Sequence, residues 1–172
     1  VSKIFVSKLD ASGNFVWAKQ MIATYDGSGA AGSGGLFIGA DNSGSVYTSG
    51  NYAGTVDFDP GPGNFTLNTI SITGTSYISK LDAAGNFVWA KSIGGSDNDH
   101  GNAIKLDAGG NLYITGYFRN TVDFDPSVNT FNLTSSGLDD IFIAKLDGAG
   151  NFVWAKKLGG TSTDNGNSIV LD

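Results

Sequence analysis

The sequence predicts an all-β chain of tandem four-stranded antiparallel sheets, and three observations carry that expectation. The first is repetition: LDAAGNFVWAKSIGG at 81–95 recurs as LDASGNFVWAKQ from Leu9 and as LDGAGNFVWAKKLGG from Leu146. Residues 79–95 match 144–160 at 13 of 17 positions, and such self-similarity at a fixed period marks a repeat architecture. The second is alternation, because short runs switch between apolar and polar side chains every residue, as strands do. The third is punctuation, since 26 Gly and clusters of Asp, Asn and Ser separate those runs where hairpins reverse.

In chain order, Ile4, Val6 and Lys8 alternate with Phe5, Ser7 and Leu9, so apolar side chains lie on both faces of one short strand. That is the pattern of a strand covered on both sides. Asp10 to Asn14 reads as a tight hairpin loop, and Phe15–Lys19 as the returning strand. Trp17 to Asp41 spans 24 positions where Trp89 to Asp107 spans 18, so the Gly-rich stretch 23–35 reads as a loop insertion. A short strand around Phe37–Asp41 then turns through Asn42-Ser43-Gly44 into Ser45–Tyr52.

The next unit repeats the order as Ala103–Asp107, a turn at 108–111, and Leu112–Phe118. Thr55–Pro60 recurs unchanged as Thr121–Pro126, each followed by a weaker strand near Phe65–Leu67 and Phe131–Leu133. Third strands at Ser76–Leu81 and Asp140–Leu146 lead back into tryptophan strands at Phe87–Ile93 and Phe152–Leu158. The divisions that follow are 1–22, strands three and four of one unit; 23–95, a unit with the insertion; 96–160, a further unit; and 161–172, the first strand of another.

Composition narrows the function classes. Of 172 residues, 16 are acidic and 10 are Lys or Arg, giving a net charge of −6 with no basic stripe, so nucleic acid is not an expected partner. No run approaches the ~18 apolar residues of a membrane helix, and VSKIFVSKLD alternates instead of forming a signal peptide. With no Cys, disulfides, thiol nucleophiles and thiolate metal sites are excluded. The lone His100 has Asn165 as its counterpart, so no repeated catalytic or zinc site is built on it, and no enzymatic role is expected.

Metal candidates come from paired carboxylates. Asp57 with Asp59, and Asp123 with Asp125, put two acids on one face of an extended segment, a geometry a hard cation such as Ca²⁺ accepts if backbone oxygens complete it. Asp97 and Asp99 open a D-x-D-x-G stretch with the look of a calcium loop, without a downstream Glu. The competing reading makes the same acids turn caps for backbone amides. Trp17, Trp89 and Trp154 could stack on sugar rings, but their recurrence two residues after a Phe fits packing between units better. The sequons at Asn64 and Asn132 are not at equivalent repeat positions and read as chance.

Four-stranded sheets apolar on both faces must stack face to face, and a radial stack of such blades is a β-propeller. The units resemble the SBBP type of bacterial propeller repeat, in GNLYITGYF at 110–118, DIFIAKLDGAGNFVWAKKLGG at 140–160 and SVYTSGNY at 45–52. The resemblance implies large secreted or cell-surface bacterial proteins whose repeats serve as scaffolds or interaction surfaces without a common catalytic set. About two and a half units fall short of the four or more blades of a closed ring, so a segment of a larger propeller or array is expected. The functional expectation is therefore an extracellular structural repeat, adhesive or filamentous, that assembles with other repeats or copies of itself. The alternative is a propeller module binding Ca²⁺ or a surface glycan.

Overall fold

The computed structural model describes residues 4–24, 32–69, 71 and 74–172. In these it is all-β, with strands β1 (Ile4–Leu9), β2 (Phe15–Thr24), β3 (Gly32–Ala40), β4 (Val46–Asp57), β5 (Thr66–Thr69) and β6 (Thr75–Leu81). They are followed by β7 (Phe87–Ile93), β8 (His100–Leu106), β9 (Leu112–Asp123), β10 (Asn132–Leu146) and β11 (Phe152–Leu158). All pairings are antiparallel. One blade is the meander β8-β9-β10-β11; the preceding blade repeats it as β3-β4-β6-β7, and β1-β2 is the outer half of another.

Every blade hairpin of the Asp-x-x-Gly-Asn type closes the same way. At 10–14, the Gly13 amide donates to the Asp10 carbonyl, the Asp10 amide to the Asn14 carbonyl, and one Asp10 carboxylate oxygen takes the amides of Ser12 and Asn14. The other oxygen takes Asn14 Nδ2 at 2.9 Å, so one aspartate satisfies most of the turn. The glycine sits at φ +82, a left-handed conformation that a side chain at Gly13, Gly85 or Gly150 would strain.

Four parts of the chain differ from expectation. β4 and β9 run twelve residues, bending at the equivalent positions Gly54 (φ 73) and Asn120 (φ 60), so the second strand reaches into the Asp-Phe-Asp segment. In the second blade the weak strand near Phe131–Leu133 and the expected Asp140–Leu146 are one strand, β10, whose register shifts between Thr134 and Asp139 to absorb the extra residues. Of the Gly-rich stretch 23–35, residues 25–31 lie outside the described residues; Ala23 and Thr24 are not loop but the end of β2, and Gly32 to Gly35 are the start of β3, paired with Gly50–Ala53. Asn167–Asp172, expected as a first strand, forms no strand: β3 and β8 are held by β4 and β9 of their own blades, and among the described residues no strand pairs with 167–172.

The core lies between blades. One cluster joins Ile4, Val6 and Met21 of the half-blade to Tyr52, Val56, Phe58, Tyr77 and Leu81; the other joins Tyr47, Ile78, Trp89 and Ile93 to Ile114, Phe118, Phe124, Phe142 and Leu146. Alternation makes this possible, since Ile78 and Lys80 face forward while Tyr77 and Leu81 face back.

At each junction the same clasp recurs. Trp17 Nε1 and Lys8 Nζ donate to the Ala83 carbonyl at 3.2 and 3.0 Å; Trp89 Nε1 and Lys80 Nζ donate to the Gly148 carbonyl at 3.4 and 3.2 Å. The indole lies flat enough on the hairpin that a Cβ on Gly85 would fall 3.1 Å from Trp17, and one on Gly150 3.2 Å from Trp89. We expect Trp89→Ala to cost about 3–5 kcal/mol in urea unfolding, the range for a buried large aromatic, and half-buried Trp154→Ala less than half of that. Equal losses would overturn the clasp as the main blade contact.

Candidate functional site

The copies diverge where one blade crosses to the next, and the crossover at 94–102 gathers polar chemistry. Asp99 is 2% exposed; its carboxylate takes the Gly95 amide at 2.6 Å and the Arg119 amide at 3.0 Å, tying the crossover to β9. Asp164, its counterpart, takes the Gly160 amide at 2.8 Å in the same way. The aspartate shared by both crossovers is thus the closure of a Gly-Gly turn. Asp97 accepts from Asn120 Nδ2 at 2.8 Å, which the positive φ of Asn120 turns toward it, and its carbonyl takes the Ser71 hydroxyl.

His100 begins β8, stacks on Tyr117 at 5.1 Å and 15°, and lies 2.6 Å through Nδ1 from Asn51 Nδ2. With the amide donating, Nδ1 is the acceptor and the ring proton sits on Nε2. Around it stand Asn98, donating to the Tyr117 hydroxyl at 3.4 Å, and Arg119, whose Nε meets Asp139 at 2.7 Å. Burial pushes the Asp99 carboxyl up, against the amide hydrogen bonds that pull it down. Burial pushes the His100 imidazole below its ordinary value, opposed by the Asp99 charge.

The other acids are placed by turns. Asp57 Oδ1 takes the amides of Asp59 and Phe65, and Asp123 Oδ1 those of Asp125 and Phe131, so each first acid closes the loop at the blade tip. Asp59 and Asp125 take the amides two residues on, from Gly61 and Ser127. The Phe between each pair, Phe58 or Phe124, is fully buried. Among the described residues no three His or Asp side chains converge to hold a metal ion. Asp97 and Asp99 share one crossover, while the pair 57 and 59 and the pair 123 and 125 sit on the tips of separate blades.

Sequence reasoning singled out Asp97, Asp99 and His100 but not Asn51, Ser71, Tyr117 or Arg119, which complete the cluster. One signal was available: Arg119, the only Arg, stands where the preceding unit has Ala53. The Asn and Ser partners carry no such mark, being common turn residues throughout.

No family model matches the chain. Over 105 residues, 53% of its length, it is 33% identical to an uncharacterized WD repeat-containing protein of Acanthamoeba polyphaga mimivirus. Over 135 residues, 77% of its length, it is 28% identical to the regulatory protein FlaEY of Caulobacter vibrioides. The chain spans 7% and 13% of those two relatives. Both the similarity to a WD repeat-containing protein and the four-stranded sheets describe a propeller-like repeat chain.

A pH dependence follows from His100. Its folded value lies below 6.5, so its contribution is present above that pH and is lost as pH falls. Asp99, raised above 3.8, acts with the opposite sign, its burial cost being relieved as it protonates. The thermal midpoint should fall from about pH 7.5 to about pH 5.5 in the parent chain. In His100→Asn, which copies the residue of the next unit, that fall should vanish, and a fall of unchanged size would refute the assignment.

Proposed function

We propose that the chain is a non-enzymatic structural repeat segment of SBBP type, belonging to a large secreted or cell-surface bacterial protein and working as a scaffold built by blade-on-blade contacts. The observation that carries this reading is how the repeated residues are used. Trp, Gly, Asp and Asn of the LDAAGNFVWAK motif at 81–91, and Lys80 just before it, are engaged in turns or in the clasp between blades. The similarity to a WD repeat-containing protein supports a repeat chain.

A second reading rests on the crossover cluster. His100 stacked on Tyr117, flanked by Asn98 and Arg119, presents a polar, aromatic-backed surface of the kind that holds a sugar or another small polar ligand. Calorimetric titration with Ca²⁺ and a glycan array on the chain separate the two. The scaffold reading expects silence in both; saturable binding tighter than about 100 μM and lost in His100→Ala would establish the module reading instead. Protease shaving of intact source cells should release the chain, and protection until lysis would overturn the surface placement.

A further inference from the structure

We propose that the groove between β2 of the half-blade and the Asp-Pro-Gly-Pro-Gly tip of the following blade binds a free α-amino acid with an apolar side chain. The site goes beyond both readings above. The groove holds about 300 Å³ and is lined by Lys19, Asn86, Phe87, Asp59 and the tip residues 61–63. Both of its walls lie within the described chain, so it belongs to the first junction and to neither end face.

Two opposite charges line this groove without meeting. Among the described residues, Lys19 and Asp59 form no ion pair with each other or with any other side chain. Each is nonetheless held in place. The lysine stem lies against Gly85, where a Cβ would fall 2.8 Å from Lys19 Cε and 3.1 Å from the Trp17 indole. The carboxylate is wrapped by its own loop: Asp59 Oδ1 takes the Gly61 amide at 2.8 Å, and a Cβ on Gly63 would collide with Oδ2. Charged groups already held in position lose little freedom on docking.

An ammonium and a carboxylate across one small groove are the complement of a zwitterion. The ligand carboxylate meets Lys19 Nζ and the ligand ammonium meets Asp59, both charge-assisted contacts. Asn86, whose Nδ2 donates to Asp82 at 2.9 Å, adds its carbonyl as a second acceptor for the ammonium. Phe87 gives the ligand side chain an apolar wall, extended by the Phe65 ring 4.8 Å away and 38% exposed. A simple cation would be repelled by Lys19 and a simple anion by Asp59, so the pair selects a ligand carrying both signs.

The next junction repeats the charged and aromatic residues as Lys91, Asp125, Asn151 and Phe152, but its tip carries Ser127-Val128-Asn129 where the first has Gly61-Pro62-Gly63. There Ser127 Oγ takes the Asn129 amide at 3.1 Å and Asn129 Nδ2 at 3.3 Å, so side chains close that tip on itself. The bare glycines folded around Asp59 are what set the first groove apart.

Calorimetric titration of the whole chain with L-leucine and L-phenylalanine tests the site. At least one should bind with a Kd of about 1 mM or tighter. Its N-acetyl and amide derivatives, each lacking one charge, should bind on the order of fivefold more weakly or not at all. Lys19→Gln and Asp59→Asn should each weaken binding by a similar factor, whereas Lys91→Gln, at the equivalent place in the next junction, should leave it unchanged. Asn at 59 keeps an oxygen for the Gly61 amide, and far-UV circular dichroism checks that the sheets persist in every variant. No binding of either amino acid up to about 10 mM, binding that survives both substitutions, or an equal loss in Lys91→Gln overturns the proposal. The calcium and glycan titrations and His100→Ala report on the two earlier readings, whose failure would leave this result untouched.

Discussion

Successive blades are held by one repeated contact, in which a tryptophan and a lysine from one sheet close on a backbone carbonyl at the hairpin of the next. Much of the local sequence follows from it. The hairpin must present that carbonyl at a fixed place, which requires the glycine in left-handed conformation and leaves no room for a Cβ beneath the indole. The aspartate must hold the turn rigid, and hydrogen bonds from the Asn four residues on keep Asp10, Asp82 and Asp107 below the ordinary carboxylate range, so they remain ionised acceptors well into acid. In Asp41, burial works the other way, but hydrogen bonds from Ser43, Ser45 and Tyr47 outweigh it and bring the carboxyl down to about 2.

Around that constant contact the crossovers are free to vary. Asp99 and Asp164 do the same structural task, yet their neighbours differ: the first crossover carries His100 stacked on Tyr117, the second Asn165. The fold therefore separates two kinds of residue, one set spent on joining sheets and another that differs between joins. Chemistry particular to one blade lies in the second set.

Two of the three tryptophan strands were legible in the sequence to their end residues, because repetition and alternation agree at 87–93 and 152–158, whereas the first, read as Phe15–Lys19, continues to Thr24. β3 was not, since Gly32 to Gly35 carry almost no side-chain pattern and are drawn into the sheet by pairing with β4. Nor was the fusion of two short strands into β10, where Ser135 to Leu138 break the alternation and the ladder continues across a register shift. The acids at 57, 59, 97, 99, 123 and 125 were found by pairing and spacing, and the turn-cap reading describes the backbone-amide bonds of all but Asp97, whose partner, the side chain of Asn120, is too distant in sequence to carry a local mark. The clasp escaped for the same reason, its acceptor being a carbonyl about 60 residues or more away.

The end of β2 gives the two junctions different mechanical character. Ile22, Ala23 and Thr24 pair with Asp57, Val56 and Thr55, so the half-blade and the following blade belong to one continuous sheet. Between the two full blades, among the described residues, no strand bridges the sheets, and they are joined by side chains packed on one another and bonded to backbone groups. Pulled apart, the first junction would have to give up backbone hydrogen bonds and the second only side-chain contacts and the clasp. The array thus has a stiff joint and a yielding one, and it would open like a book at the spine between Trp89 and Gly150.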